Sequence, residues 1–559
     1  MHSLRAKSIL LVSLFIIFAA YSSVYADITV SINYYGQDHY GYEASSVNAK
    51  AGDTYSLHVV NHSGGSINWK WTWLGPQDQG VWLTSIGSKN VDARFIPFNT
   101  NNWLYTFTVE IWKTGEGEGG GPHTIDGSGA INQPDITITE PVVDKYVAKD
   151  SETTVSVTAT VGHGEEGWAN QPVTIWILKN GTGSPLYSHN LTTGDSGTAT
   201  YQYSPGSWDT AEYETRAKIN DPIKTYVDEG NYAITVFKTE VTHVKFDHTA
   251  GDTADGINIR ENNSTDISVP EWVKGGQNKP AAYKKSTSVT IKTRFTVSPS
   301  SVTSAKIQAT TSDSILGNLG EQTVSFSSGV SSPEYISFTP TSSTPSSIDK
   351  DTVTWQWKVN DVNGSSSSEV DINTSGAHTI YTVLGTPQSP MTEPWTQVLD
   401  YACVWANGKT SESAAVTPIT TNAYNNLGKN YYGQNTHAAG TTFNLTSFLS
   451  ANWADCRDMS ATVHVFTRAI GGTTTNVRKI DGPFDYKSID PVGLPGWDTG
   501  AWNFHQVGNY SGVYDACLRL KQSNPRIPTG EDINGSYKTD LYDSGTWDPK
   551  APFNYTTVN

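Results

Sequence analysis

Along most of this chain apolar residues alternate with polar ones at a period of two, the pattern of strands that bury one face. Residues 28–32, 55–60, 69–73 and 104–112 read as extended segments rich in Ile, Val, Tyr and Trp. They predict a first β-sandwich module over residues 27–134, and its stretch 115–121, rich in Gly and Glu and without apolar residues, reads as a loop or linker. Over residues 135–239, Val155, Val157, Ala159 and Val161 alternate with polar neighbours, as do Val173, Ile175 and Ile177 and then Ala199, Tyr201 and Tyr203. A third and larger β module over residues 240–387 repeats the alternation in Val289, Ile291, Phe295 and Val297 and again in Val353, Trp355, Trp357 and Val359.

The period changes near residues 385–390, where Pro387 and Pro390 break strand pairing. Trp395, Leu399, Ala402 and Ala406 then fall three or four residues apart, as do Ala415, Ile419, Ala423 and Leu427 before the stop signal of Gly428. Pro418 either kinks this second helix or marks its true start. The clearest helix lies between Asn452 and Gly472, where Met459, Val463, Phe466 and Ile470 form one apolar stripe. Asp455 suits its N-cap, Asp458 its positive first turn and Gly471 its C-terminal stop. The last domain, residues 388–559, is therefore expected to mix helices with strands.

Composition supports β modules for the rest. Only 16% of residues are charged, whereas Gly, Ser, Thr, Asn and aromatics abound, as suits short strands joined by polar turns. At 559 residues the chain is too long for one core and predicts three to five domains. A net charge of −17 without a Lys/Arg cluster repels phosphate backbones and anionic headgroups, so nucleic acid is not an expected partner. Arg5 and Lys7, an apolar run over residues 9–20 and the small-residue pattern Val24-Tyr25-Ala26 read as a signal peptide, residues 1–26, cut before Asp27. The run is shorter than the roughly 20 residues that span a bilayer. A secreted protein with no membrane span after cleavage is the expectation. The Asp- and Gly-containing residues 247–256 would offer ligands to calcium, but their spacing matches no calcium loop and a solvated turn is the better reading; no cofactor or metal is expected. The sequons at Asn190, Asn363, Asn444 and Asn509 arise by chance in so polar a chain.

Candidate chemistry gathers in the last quarter. Cys456 opens the helix that follows Asp455, where unpaired N–H groups and the macrodipole favour a thiolate and would also hold an oxyanion. Against this stands the commoner role of cysteine as a small buried apolar residue. A thiol nucleophile needs a base, and the base needs an orienting group. Residues 502–520 read as two short strands around a turn at 508–512, which places His505 and Asp515 on neighbouring strands within side-chain reach. His464, two turns along the helix from Cys456, reads as structural.

The order Cys456, His505, Asp515, with the cysteine opening a helix in a Cys-Arg-Asp…Arg-Ala-x-Gly context, resembles the transglutaminase-like cysteine-enzyme superfamily over roughly residues 395–520. The resemblance implies a papain-like α+β domain, with Cys456 as nucleophile, His505 as general base and acid and Asp515 as orienting carboxylate; Arg468 and Gly471 match the helix end usual in that family. The familiar His-Ala-Trp stretch is His505-Gln506-Val507 here, and the loop to Asp515 is short. An upstream side chain often serves such enzymes as oxyanion donor, and Trp405, Gln434 and Trp453 all remain candidates. The preceding modules resemble bacterial-type immunoglobulin-like sandwiches in strand length and spacing, without the Cys–Trp–Cys core signature. The expected fold is thus three all-β modules followed by a transglutaminase-like α+β domain. With Cys456 reactive, the odd cysteine count leaves Cys403 and Cys517 to pair, a loop for which chain entropy predicts about 4 kcal/mol. The function that follows is thiol-dependent acyl transfer or amide hydrolysis on a protein or peptide substrate, with β modules positioning the site at a cell surface or matrix. The alternative is a non-catalytic extracellular binding or structural protein that retains the domain as a folded module.

Overall fold

The computed structural model describes residues 135–163, 166–220, 225–246, 256–522 and 524–559, together with separate strands between Ile28 and Asn132. The expected signal peptide, the 115–121 stretch and most of the 247–256 loop lie outside the described residues. The chain divides into two compact units, Met1–Val236 and Phe237–Asn559.

In the first unit Ile67–Leu74 lies between Val81–Ile86 and Leu104–Lys113, and Leu104–Lys113 also pairs with His123–Asn132, all antiparallel. Further along, Val155–His163 pairs with Asp135–Glu140 and Thr198–Tyr203 in one sheet. Pro172–Lys179 lies between Pro185–Thr192 and Ala211–Asn220 in the other. Val157, Ala159 and Val161 from the first sheet share a core with Val173, Ile175 and Ile177 from the second, so the period-two alternation becomes the inner face of a β-sandwich of the immunoglobulin-like kind. Of the polar residues between them, Thr158 and Thr174 are buried as well and Thr160 is half-buried.

In the second unit Asp349–Asn360 pairs with Ser304–Thr310 and Val370–Val383, burying Val353, Trp355, Trp357 and Val359 on one side. Five helices follow: α1 Thr396–Trp405, α2 Glu412–Asn426, α3 Leu445–Ser450, α4 Cys456–Ala469 and α5 Ser536–Leu541. α2 begins under the Ser411 cap, so Pro418 lies inside it. Strand Gly500–Asn509 sits between Asn476–Tyr486 and Val513–Tyr514, and α4 packs against it. Val398, Leu399, Val416, Ile419, Val463 and Phe466 of the helices share one core with Ile348, Tyr381 and Val383 of the preceding β strands.

The expected class is corrected here. Strand makes up 47% of the chain and helix 13%, the helices among the described residues are five and short, and residues 388–559 do not stand out as a papain-like α+β domain. Helical periodicity is confined to brief stretches, with α3 and α5 six residues each. After α4 the chain returns to paired strands, as in Asn476–Tyr486, which buries Val477, Ile480, Phe484 and Tyr486 around an irregularity between Asp481 and Phe484. α1, α2 and α4 pack on one another, and α4 also packs on strand Gly500–Asn509.

The C-terminal end of α4 is closed by its surroundings. The Leu384 amide donates to the Ile470 carbonyl and the Gln388 amide to that of Arg468, both at 3.0 Å, satisfying acceptors that a helix end leaves open. Gly471 follows at φ +90°, and a Cβ there would fall 2.5 Å from the Gly385 carbonyl oxygen, so only glycine fits. The loop after it is held by Glu412. Its carboxylate accepts the amides of Thr473, Thr474 and Thr475 at 2.7–3.1 Å and the Thr475 hydroxyl at 2.6 Å. Burial pushes this carboxyl up, but the hydrogen bonds from residues 473–475 outweigh it and hold the pKa below the usual range. A depressed folded pKa adds stability above the unfolded pKa, and that stability is lost as pH falls through the folded one. Glu412→Gln is therefore expected to lower stability at pH 7 by about 1–3 kcal/mol. In urea titrations the gap from the parent should narrow as the pH drops below the ordinary glutamate range; an equal gap at pH 7 and pH 3 would contradict this.

Candidate active site

The start of α4 is built from two carboxylates. Asp455 caps it, accepting the amides of Arg457 at 2.9 Å and Asp458 at 3.0 Å, and Asp458 returns a bond from the Asp455 amide at 3.1 Å. This reciprocal arrangement is a capping box. Asp458 also accepts the amides of His437 at 2.7 Å and Ala438 at 2.8 Å, which ties the 436–438 segment to the helix. Burial, with Asp455 beside it, pushes the Asp458 carboxyl up to about 7 against the pull of these donors. Arg457 neutralises the cap with Nη2 2.7 Å from Asp455 Oδ2.

Cys456 is the first helical residue, as its sequence context requires, yet its thiol is not the exposed, acidic group expected there. It is 4% exposed. Burial, and secondarily the charge of Asp455, pushes the thiol well above its ordinary pKa, and the hydrogen bond from the Gln506 amide recovers only part of the shift. The cap has also consumed the Arg457 and Asp458 N–H groups that the sequence offered to a thiolate or an oxyanion. At rest Cys456 is a protonated thiol.

The other two residues of the expected trio are brought together. His505 lies on strand Gly500–Asn509, and Asp515 follows directly on Val513–Tyr514 rather than within it. His505 Nε2 is 2.8 Å from Asp515 Oδ2, with both side chains 1% exposed. Donation from Nε2–H to the carboxylate leaves Nδ1 as the basic nitrogen, and Nδ1 is buried without a hydrogen-bond partner. The sulfur approaches the same strand, since the amide that reaches it belongs to Gln506. The Trp502 ring stacks on the imidazole at 4.6 Å.

The remaining candidates separate. Trp405 packs on Tyr401 and Phe466, ten residues along α4 and so about 15 Å from its start. Gln434 is exposed on the turn after Tyr432. Trp453 is near in sequence and half-buried, but its ring is stacked on His437 at 4.0 Å. His464 is buried beside Tyr555, and burial pushes its pKa down to about 3, so it is neutral. The expected disulfide is absent: Cys403, Cys456 and Cys517 are all free and buried. Cys403 sits in α1 with its sulfur 3.9 Å from the Thr382 carbonyl, whereas Cys517 follows Asp515 and donates its amide to that carboxylate at 2.9 Å. Cys403 and Cys517 serve as small apolar core residues.

Three residues escaped the sequence. Tyr431 lies beside Ala454 in a parallel pair, and burial together with the neighbouring Cys517 and Cys456 keeps its hydroxyl protonated. Gln506 donates from Nε2 to Ser460 Oγ at 2.7 Å and to the Tyr555 hydroxyl at 2.8 Å, fastening its strand to α4. Tyr537 donates to Asp515 Oδ2 at 2.7 Å. Gln506 adjoins His505 in the chain, the one signal available; the tyrosines carry none. Among the described residues no cluster of three or more His, Cys, Asp or Glu is arranged to hold a metal, and no helix is long and apolar enough to cross a membrane.

No family model matches the chain, and no curated protein matches its sequence. Solved structures with partial likeness include an engineered protein, 21% identical over 19% of this chain and 20% of that one, with a TM-score of 0.15. This chain spans only that fifth of it. The three N-terminal domains of the outer capsid protein Hoc of bacteriophage RB49 are 12% identical over 60% of this chain and 95% of that one, at a TM-score of 0.29. The fibronectin(III)-like modules of Clostridium thermocellum CbhA are 11% identical over 44% and 94%, at 0.17. These likenesses are too distant to carry an activity to this chain.

With every thiol buried and protonated, iodoacetamide at pH 7 should alkylate native Cys403, Cys456 and Cys517 more slowly than free cysteine, and unfolding should release three reactive thiols. Intact mass before and after denaturant measures this. A single fast native site would show that burial does not govern Cys456.

Proposed function

We propose that this chain is a secreted thiol-dependent acyl-transfer or amide-hydrolysing enzyme in which Cys456, His505 and Asp515 act together, as in the transglutaminase-like cysteine enzymes whose residue order it resembles. The observation that supports this most is the buried His505–Asp515 pair at 2.8 Å, with the other imidazole nitrogen unpartnered on the strand that the Cys456 sulfur touches. A nitrogen without a partner, on a ring whose other nitrogen is held by a carboxylate, is free to take a proton.

The reaction follows from the protonation states. His505 Nδ1 takes the S–H proton as sulfur attacks a carboxamide carbonyl, and the imidazolium is held by Asp515. Collapse of the tetrahedral intermediate breaks the C–N bond, and the leaving amine or ammonia departs with the proton from His505. A thioester on Cys456 remains. An incoming amine or water gives its proton to His505, attacks the thioester and expels the thiolate, which recovers that proton. The acceptor decides the outcome: a lysine amine gives a crosslink, and water gives hydrolysis. A protein or peptide substrate suits both. The β modules would present this site at a cell surface or matrix.

The burial of Cys456 favours a second reading, a folded module without catalysis in an extracellular binding or structural protein. One assay separates them. The full chain is incubated with casein and a fluorescent primary amine; incorporation or cleavage by the parent, falling by about 10³-fold or more in Cys456→Ser and His505→Ala, is the expected result. Neither product from the parent, or full turnover by Cys456→Ser, would leave the non-catalytic reading standing.

A further inference from the structure

Resting on that reading, we propose that Tyr537 is a positioning residue of the site, fixing the charge and direction of Asp515 and thereby setting how strongly His505 holds its proton. Asp515 is 1% exposed, so its carboxylate must find its donors within the protein. It has three. Oδ1 accepts the Cys517 amide at 2.9 Å, and Oδ2 accepts both His505 Nε2 at 2.8 Å and the Tyr537 hydroxyl at 2.7 Å. Two donors thus compete for one oxygen, and one of them is the imidazole.

Tyr537 is suited to a fixed role. Its side chain is fully buried, and burial, with the Asp515 charge, pushes its hydroxyl well above the ordinary pKa, so it remains a donor throughout the working pH range. It stands on α5, a six-residue helix that could not hold position unaided. Arg526 supplies the anchor. Its Nε and Nη2 grip both oxygens of Glu531 at 2.7 and 2.9 Å, and Nη2 also reaches Asp540 Oδ2 of α5 at 2.8 Å. Leu541 and Ile533 bury the helix in the same core as Val507 and Val513 of the strands that precede and follow the turn.

The physical consequence has a sign. A phenol donating to Oδ2 draws off part of the carboxylate's charge and weakens its attraction for the protonated imidazole. Without the hydroxyl, Asp515 holds the imidazolium more tightly and His505 should release its proton at higher pH. A stronger donor should do the opposite.

The test uses the full chain labelled with ¹⁵N in histidine, with the His505 ring signals identified by their loss in His505→Gln. Tyr537→Phe is expected to move the His505 titration midpoint upward by at least several tenths of a pH unit. 3-Fluorotyrosine placed at 537 by stop-codon suppression, a stronger donor, should move it downward. A residue that merely filled space would give no such pair of opposite shifts. Where Tyr537→Phe fails to fold, the fluorotyrosine arm alone decides. A midpoint that stays put in the folded variants, or moves the same way in both, overturns the proposal. If the parent neither incorporates amine nor cleaves casein while the midpoint still follows residue 537, acyl transfer fails and positioning stands; active parent with an indifferent midpoint is the reverse.

Discussion

The capping box of α4 is the constraint on which the site depends. Asp458 gathers the amides of His437, Ala438 and Asp455, and Asp455 gathers those of Arg457 and Asp458. These bonds fix where the helix starts, and the start fixes Cys456. They also join the 436–438 segment to the helix. A helix terminus buried without such partners would leave its amides unpaired at a cost of about 1–3 kcal/mol each. The same bonds that stabilise the end take away the donors a thiolate would have used.

That exchange shapes the chemistry. In many thiol sites the resting state is an ion pair, prepared before substrate arrives. Here desolvation dominates, so the sulfur keeps its proton at rest. The groups that bear charge are placed one step away, at Asp515, where three donors compensate a buried carboxylate. The proposed chemistry would therefore rest on a prepared base rather than on a prepared nucleophile.

The surrounding fold supplies rigidity. Gln506 fastens the His505 strand to α4 through Ser460 and Tyr555, and Arg526 fastens α5 to the Glu531 strand. Val398, Val416 and Val463 of the helices pack with Ile348, Tyr381 and Val383, so the third β module contributes directly to the core beneath α4. A stretch that reads as a separate domain by its helical period is folded as part of a larger unit.

What the sequence determined by itself was local. Alternation fixed the strands of the β modules, and the run Asp455-Cys456-Arg457-Asp458 fixed a helix start with the thiol at its first position, because caps and periods act over a few residues. The proximity of His505 and Asp515 was legible for the same reason, a tight turn between short strands. Fold class was not legible: short helical stretches carried a class in which α4 would lead, whereas strand outweighs helix by 47% to 13%. Nor was the state of the cysteines. Parity counts thiols without knowing their burial, and only tertiary packing placed Cys403 and Cys517 in different surroundings and sealed Cys456 from water. Tyr537 and Tyr431 were invisible because nothing near them in the chain marks a group whose partner is many residues away. Desolvation and long-range hydrogen bonds are properties of the packed structure, and it is these that decided how Cys456 is buried and how Asp515 is held.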